Sequence, residues 1–264
     1  GRKFGCQKSF NFSPQRKENT KIMIYHIGTS GWSYSSFKNI FYPPDLKYKD
    51  WLKFYSKYFN TVEINVTFYR TPKPSTFRKW YEETPPYFVF SIKAPKIITH
   101  IKKLRDVKES LELFLKNISP LQEKAKVLLF QLPPSLTYNK EIIEEFLHLL
   151  PKNYKNVIEI RHKSFHNEEF VKLLMDNNVS LCFSDCGKRY PSWFEVKTAD
   201  FLYIRLHGSK QLYVSNYEEE ELENLIHLIK KHSPSEVYIY FDNTALGYAV
   251  TNALFLKEKF LKSY

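Results

Sequence analysis

The chain has 264 residues, of which 43% are hydrophobic and 26% charged, proportions typical of a soluble globular protein. No apolar run reaches the roughly 20 residues that a membrane-spanning helix needs, so we expect no membrane partner. Forty Lys and Arg against 28 Asp and Glu give a net charge of +12, which favours anionic partners. The lysines are spread along the whole chain, however, so charge alone does not indicate nucleic-acid binding.

The first 21 residues are polar and basic and lack the apolar core of a secretory signal. We expect a flexible extension over 1–21 and a single domain over 22–264. The three cysteines, Cys6, Cys182 and Cys186, do not make a disulfide framework, so we expect a reducing, cytoplasmic location. The spacing of Cys182 and Cys186 matches no four-ligand metal pattern.

Eight short apolar runs predict strands, and stretches with helical spacing lie between most of them. This alternation favours a parallel sheet with crossover helices, and eight repeats of roughly 30 residues fit an α/β fold of the (β/α)8 TIM type. The alternative, a doubly wound open sheet, would carry a Gly-rich phosphate loop, and no such nucleotide motif is present. The predicted strands are 25–28, 61–66, 87–93, 126–131, 156–161, 179–184, 201–207 and 236–241, and the predicted helices are 50–59, 140–150, 168–176 and 219–231.

Polar residues spaced two apart recur at the ends of these strands. Because side chains alternate between the faces of a strand, such pairs point to one face together. In a TIM-type barrel that face lines the mouth at the carboxyl ends, where catalytic sites lie. Strand six ends in Ser184 and Asp185, and only one of them can point inward. The catalytic group that we predict from these pairs and strand ends is Glu63, Asn65, Glu159, Asp185 and His207.

The same mouth carries the candidates for ligand binding. The exit of the first strand, 28–32, offers backbone amides for an anion, and the aromatic and cationic loop 68–72 suits stacking on a base. A buried Glu beside an Arg is also common as a structural ion pair, which is the alternative for the charged members. The predicted ligand-binding residues are Trp32, Tyr69, Arg70, Lys93, His100, Gln131, Arg161, Arg205 and Asn243.

Ordered motifs extend over 25–253 and include GTSGW at 28–32, TVEINVTFYRTP at 61–72, FSIKAP at 90–95, EIRHKSF at 159–165 and YIRLHG at 203–208. Together they resemble the YecE-like family, domain of unknown function seventy-two. The resemblance implies a TIM-type barrel without a settled reaction, and the likeness of such barrels to endonuclease IV-like folds implies nucleic-acid binding. Two residues depart from the family pattern: Phe165 stands where Trp is usual, and Asp242 where Asn is common.

Three functions fit these residues. The first is a hydrolase-like enzyme acting on a phosphate-bearing or other anionic substrate, nucleic acid included. In it Arg161, Arg205 and Lys93 hold the anion, Glu159 or Glu63 is the base or metal ligand, and His207 carries the proton. The second is a binding protein without chemistry, for nucleic acid or a small anion. The third, a carbohydrate hydrolase using Glu63 and Glu159, ranks last because neighbouring cations would lower both carboxyl pKa values.

A metal is compatible with the first function, although no motif fixes its identity. Only His207 and His162 lie at predicted strand ends, which is too few for a His-rich trinuclear site. A single divalent ion held mainly by carboxylates remains a candidate.

Overall fold

A computed structural model describes residues 22–263, and the extension predicted over 1–21 lies outside them. Within this range strands and helices alternate along the chain. The strands are β1 (Ile24–Thr29), β2 (Thr61–Ile64), β3 (Val89–Lys93), β4 (Ala125–Gln131), β5 (Lys155–Glu159), β6 (Ser180–Leu181), β7 (Phe183–Asp185), β8 (Phe201–Leu206) and β9 (Glu236–Phe241). The α-helices are α1 (Trp51–Tyr55), α2 (Val66–Tyr69), α3 (Pro74–Glu83), α4 (Lys108–Ile118), α5 (Lys140–Leu149), α6 (Glu168–Asp176), α7 (Glu219–His232) and α8 (Tyr248–Lys262).

All the strand pairs are parallel, and they form two sheets. One has the order β1-β9-β8-β7 and the other the order β2-β3-β4-β5-β6. An isolated parallel bridge joins Ser30 to Glu63 at the ends of β1 and β2, where Gly31 N donates to Glu63 O at 2.8 Å. Close approach at this junction requires glycine, since a Cβ on Gly28 would lie 2.3 Å from Thr61 O. The predicted α/β class with parallel strands is confirmed.

The sixth predicted strand, 179–184, is divided at Cys182. Before that residue β6 pairs with β5, and after it β7 pairs with β8. Cys182 N donates to Ile158 O of β5, while Ser184 is already in register with Arg205. The chain therefore passes from one sheet to the other at Cys182.

The second predicted strand, 61–66, is too long by two residues. It ends at Ile64 because Asn65 leaves the extended region (φ −104°, ψ −19°) and begins the short helix α2. The segment predicted as a loop over 68–72 thus starts with the last residues of a helix. Helices α5 and α6 match their predicted ranges within one residue, and Asn139 and Asn167 cap them by accepting from the backbone.

Both faces of the strands are buried, as is usual in parallel sheets. The larger apolar core lies between the strands and the helices. A second group alternates with it along β4, β8 and β9 and so lies on the opposite strand face; it includes Leu129, Tyr203 and Tyr240. None of the helices within 22–263 is both long and apolar enough to cross a membrane.

Glu236 organises polar contacts at the amino ends of the strands. Its Oε1 accepts from Tyr238 at 2.7 Å and lies 2.8 Å from His26 Nε2, and Oε2 lies 3.1 Å from Lys155 Nζ. Burial raises the pKa of this carboxyl, but the bonds from His26 and Tyr238 and the charge of Lys155 outweigh it and lower the pKa to about 2. The ionised form of Glu236 therefore stabilises the fold.

We expect Glu236→Gln to lower the free energy of unfolding at pH 7 by about 1–3 kcal/mol. A carboxyl group whose pKa is lower in the folded protein stabilises the fold at pH values above its unfolded pKa of 4.5. That stabilisation is lost as pH falls towards the folded pKa of about 2. The difference between wild type and variant should accordingly shrink between these pH values in urea titrations. Glu223→Gln, which breaks an exposed pair with Lys259, is the control and should leave stability unchanged. A difference that is independent of pH would contradict this assignment.

Candidate functional site

Arg205 on β8 connects three strands at their carboxyl ends. It is 1% exposed. Its Nη2 and Nε donate to Glu63 on β2 at 2.7–3.2 Å, and its Nη1 donates to Glu159 on β5 at 2.7 Å. Burial lowers the pKa of a guanidinium, but the two carboxylates hold the pKa of Arg205 well above its ordinary value. Arg205 is therefore charged and has both carboxylates as partners.

The two carboxylates are fully buried, and neutral donors satisfy their remaining oxygen lone pairs. The donors are Ser30 (2.8 Å) and Tyr203 (2.5 Å) to Glu63, and Gln131 (3.0 Å) and Ser184 (2.7 Å) to Glu159. Burial raises the pKa of Glu159, but Arg205, His207 and Arg161 together lower it well below the ordinary value. Glu159 is thus ionised and unsuited to donate a proton as a glycosidase acid.

His207 extends this network towards solvent through Asp242. His207 Nδ1 lies 2.8 Å from Asp242 Oδ2, and Nε2 lies 3.4 Å from Glu159 Oε1. Burial and Arg205 lower the pKa of His207, but its hydrogen bonds to Asp242, Cys186 and Glu159 raise the pKa well above its usual range. The imidazole is therefore protonated at neutral pH. We call Glu63, Glu159, Arg205, His207 and Asp242 the central cluster.

Lys93 and Arg161 lie beside the central cluster, and their donor groups are not all paired. Within the described residues Lys93 Nζ has neither an ion pair nor a hydrogen bond, and it lies 4.2 Å from the centroid of the Phe68 ring. Burial is the main cause that lowers the pKa of Lys93 to about 8, and Arg205 adds to it. Arg161 lies 3.6 Å from Glu159 and stacks on Tyr190, and its buried Nε has no partner. We call Lys93 and Arg161 the rim cations.

His100 belongs to the same region. Its ring is half-buried and meets Phe68 edge-on at 4.8 Å. Burial lowers the pKa of His100 to about 4, and the positive charges of Lys93 and Arg161 add to the effect. His100 is therefore neutral at physiological pH and offers a hydrogen bond rather than a charge.

A separate group of predicted residues surrounds a cavity of about 250 Å³ at the ends of β1 and β2. Trp32, Asn65 and Arg70 line it together with Trp80, whose ring meets Trp32 edge-on at 4.9 Å. Asn65 Oδ1 is buried without a partner. Asn65 was predicted beside Glu63 in the catalytic group, but the turn into α2 brings it to this cavity instead.

Three other predicted residues lie outside the central cluster. Asp185 Oδ1 accepts from Gly187 N and Oδ2 from Tyr217, and its side chain lines a cavity of about 550 Å³ against α7. Asn243 is buried and donates to Ser215 O and Asn252, while Tyr69 is 71% exposed. At the end of the sixth strand it is Ser184 that points inward, so Asp185 necessarily points away.

The sequence prediction missed Asp242 and Cys186 as members of the site. The loop after the eighth predicted strand offers both Asp242 and Asn243 to the mouth, but the prediction took only Asn243 as a site residue, whereas it is Asp242 that contacts His207. Cys186 follows β7 directly, and its position depends on the chain direction after that strand. The other departure, Phe165, is fully buried and packs at 5.0 Å from Phe170, so it fills core space.

One set of described donors is close enough to share a metal ion. The sulfur of Cys186, a ring nitrogen of His207 and an oxygen of Glu159 lie within 4.8 Å of one another. Arg205 Nη1 is 2.7 Å from Glu159 and 3.4 Å from His207 Nε2, however. A divalent ion there would face a guanidinium at close range, so we assign no metal to this group.

The fold and site define a parallel α/β protein with a buried ion-pair cluster at the carboxyl ends of its strands. The chain belongs to the DUF72 family: the family profile described as "Protein of unknown function DUF72" matches residues 26–263. This confirms the resemblance drawn from the motifs.

Relatives agree with the assignment. The protein YecE of Escherichia coli K12 is 32% identical over 144 residues, which are 54% of this chain and only 50% of YecE. YunF of Bacillus subtilis is 25% identical over 87% of this chain and 92% of its own. A DUF72 family crystal structure from Thermotoga maritima has a TM-score of 0.80 at 32% identity and covers 90% of this chain and 99% of that chain.

More distant structures share the fold alone. A xylose isomerase domain containing protein from Salmonella typhimurium has a TM-score of 0.55 at 9% identity, covering 90% of this chain and 96% of its own. An AP endonuclease of family 2 from Brucella melitensis has a TM-score of 0.50 at 10% identity, covering 89% and 99%.

We expect Arg205→Ala to destabilise the protein by about 3–5 kcal/mol, because it leaves Glu63 and Glu159 buried without their shared cation. Arg161→Ala is the matched control and should cost clearly less, since Glu159 keeps Arg205, Gln131 and Ser184 as partners. Urea unfolding of both variants at pH 7 measures the contrast. Equal losses in the two variants would show that Arg205 is no more than an ordinary charged side chain.

Proposed function

We propose that this protein is an enzyme that binds a phosphate-bearing or other anionic substrate at the carboxyl ends of its strands. The observation that carries the proposal is the pair of rim cations. Lys93 is 7% exposed and Arg161 8%. Among residues 22–263, Lys93 Nζ contacts the Phe68 ring without an ion pair, and the buried Nε of Arg161 has no hydrogen-bond partner. A buried cation without a partner is unfavourable, so its presence points to an anion that completes it.

The charges of the central cluster leave these cations available. Arg205 is shared by Glu63 and Glu159, and His207 pairs with Asp242. Three carboxylates against two cations leave the central cluster with one negative charge, so Lys93 and Arg161 together bring the site to one net positive charge. A guanidinium and an ammonium beside each other suit phosphate oxygens, because the first binds two oxygens in a fork and the second acts as a point charge.

Roles within the cluster follow from its contacts. Arg205 already donates through all three of its nitrogens, so we assign it a positioning role rather than the anion-binding role suggested by the sequence. Glu63 and Glu159 are both held as hydrogen-bonded partners of Arg205. Asp242, whose side chain is 15% exposed, is the member through which His207 exchanges protons with a bound substrate.

We also infer that the two sheets act as one (β/α)8 barrel. The Ser30–Glu63 bridge joins β1 to β2, and the division at Cys182 joins β6 to β7 along the chain. The DUF72 structure and the more distant fold neighbours support this architecture. A cytoplasmic location stays a prediction from the cysteine content.

A binding protein without chemistry is the second candidate, and one observation favours it. The carboxylates of Glu63 and Glu159 are sequestered by Arg205, which leaves only the Asp242–His207 pair for proton transfer. The cavity beside Trp32 and Trp80 has room for a planar ring, which suits a nucleotide or a single-stranded nucleic acid as the ligand.

Sulfate binding tests the rim cations, because the charge of sulfate is constant near neutral pH. We expect Lys93→Met and Arg161→Met each to weaken sulfate binding about tenfold or more, as measured by calorimetry. Lys93 is charged below its pKa of about 8, so wild-type affinity should fall as pH rises through 8. Lys57→Met removes an exposed charge before β2 and should change nothing. Unaltered binding in both rim variants would refute the proposal.

The variant Asp242→Asn distinguishes the enzyme hypothesis from the binding-protein hypothesis. The amide keeps the shape of the side chain but cannot hold His207 protonated through charge. In an enzyme, turnover of a responsive phosphoester from a substrate panel should fall at least a hundredfold, while sulfate affinity stays within a few-fold of wild type. If every phosphoester is inert with the wild-type protein, and sulfate or a single-stranded oligonucleotide binds, the second candidate is the correct one.

A further inference from the structure

Cys186 is the one member of the site that the proposed function does not use. It follows β7 directly and is 2% exposed. Its sulfur lies within 4.8 Å of a ring nitrogen of His207, and 3.4 Å from the hydroxyl of Ser184. The opposite nitrogen of His207, Nδ1, is bonded to Asp242 at 2.8 Å. His207 thus lies next to both a thiol and a carboxylate.

We propose that Cys186, His207 and Asp242 form a nucleophilic triad that attacks the acyl carbon of an ester, thioester or amide. In such an arrangement the imidazole takes the thiol proton and the carboxylate orients the ring. The Nδ1 bond to Asp242 leaves Nε2 to be shared between the thiol and Glu159, whose Oε1 lies 3.4 Å away. The anionic character of the acyl substrate rests on the proposed function, whereas the nucleophile itself does not.

The charged surroundings support a thiolate. Burial raises the pKa of Cys186, but the bond and the charge of His207 outweigh it, so the pKa is lowered overall. Cys182, which lacks the His207 bond, shows the opposite behaviour, because complete burial raises its pKa well above the ordinary value. The titratable and charged groups that act on Cys186 are His207, Glu159, Arg161 and Cys182. Arg205 and Asp242 lie one step further away, in contact with Glu159 and His207.

The reaction balances with water as the second substrate. The Cys186 thiolate attacks the carbonyl carbon, a carbon–sulfur bond forms, and the bond to the leaving group breaks as His207 protonates that group. Water, deprotonated by His207, then attacks the thioester, which releases a carboxylic acid and restores the thiol. Arg161, whose charge acts on Cys186 and whose Nε is unpaired, is placed to hold the anionic part of the substrate.

Alkylation of the native protein by iodoacetamide tests the nucleophile. All variants carry Cys6→Ser, so that the two remaining cysteines are compared by peptide mass spectrometry. We expect Cys186 to react at least tenfold faster than Cys182, with a pH midpoint below the ordinary thiol pKa of about 8.5. Asp242→Asn should move that midpoint upward, and Cys182→Ala should leave the rate at Cys186 unchanged. If the pKa of Cys186 were lowered by a cause other than the triad, Asp242→Asn would leave the pH midpoint of its alkylation unchanged.

Acylation by p-nitrophenyl acetate tests the chemistry. We expect a burst of p-nitrophenol and one acetyl group on Cys186, both absent in Cys186→Ala, whose fold is checked by circular dichroism. An unreactive Cys186 in the native protein, or a midpoint at or above that of an ordinary thiol, would overturn the triad. Sulfate binding does not involve the thiol, and alkylation does not involve the anion, so either proposal can fail alone.

Discussion

The shared ion pair of Arg205 is the interaction on which the site depends. One guanidinium on β8 binds carboxylates from β2 and β5, which belong to the other sheet. Removing three charges from water is costly, and the arrangement is tolerated only because every oxygen of the carboxylates also has a neutral donor or a second cation. Arg205 therefore fixes the relative position of the two sheets at the end where the functional groups lie. Apolar residues could fill the same space but could not specify that position so narrowly.

The same interaction decides which groups are left for a ligand. Because Arg205 takes up Glu63 and Glu159, the remaining carboxylate of the central cluster, Asp242, is the one that meets both His207 and solvent. The rim cations remain undercompensated on one side of the cluster, and Cys186 remains next to His207 on another. Because Arg205 pairs with Glu63 and Glu159, three groups remain for a ligand: Asp242 with His207 for proton transfer, the rim cations for an anion, and Cys186 for thiol chemistry.

Alternation of side chains along strands was sufficient to predict the deepest part of the site. Glu63, Glu159, Arg205 and His207 are close together because each lies on the inward face at a strand end, and this follows from a period of two. Lys93 and Arg161 follow from the same rule. Local pattern also predicted α5 and α6, whose apolar stripes and Asn caps are visible in the sequence.

Residues at the points where the chain leaves a strand could not be predicted in this way. Asn65 leaves the strand and begins α2. On β7 it is Ser184 rather than Asp185 that points inward to Glu159. After β9 it is Asp242 rather than Asn243 that contacts His207. Each outcome depends on a backbone turn of one or two residues, which is fixed by neighbours distant in sequence. The helices α3, α4 and α8 were also absent from the prediction. For α4 the sequence did carry a signal, because Leu111, Phe114 and Ile118 are buried at helical spacing.

The division of the strands between two sheets has a consequence for the order of folding. The strands of the β2–β6 sheet follow one another along the chain, so each new strand can pair with the one before it. The other sheet requires β1 to pair with β9, more than 200 residues later. Sheets built from neighbouring segments form earlier than those that close long loops. During synthesis Glu63 and Glu159 therefore precede their cation, and pulsed hydrogen exchange should show β3–β5 protected before β1 and β9.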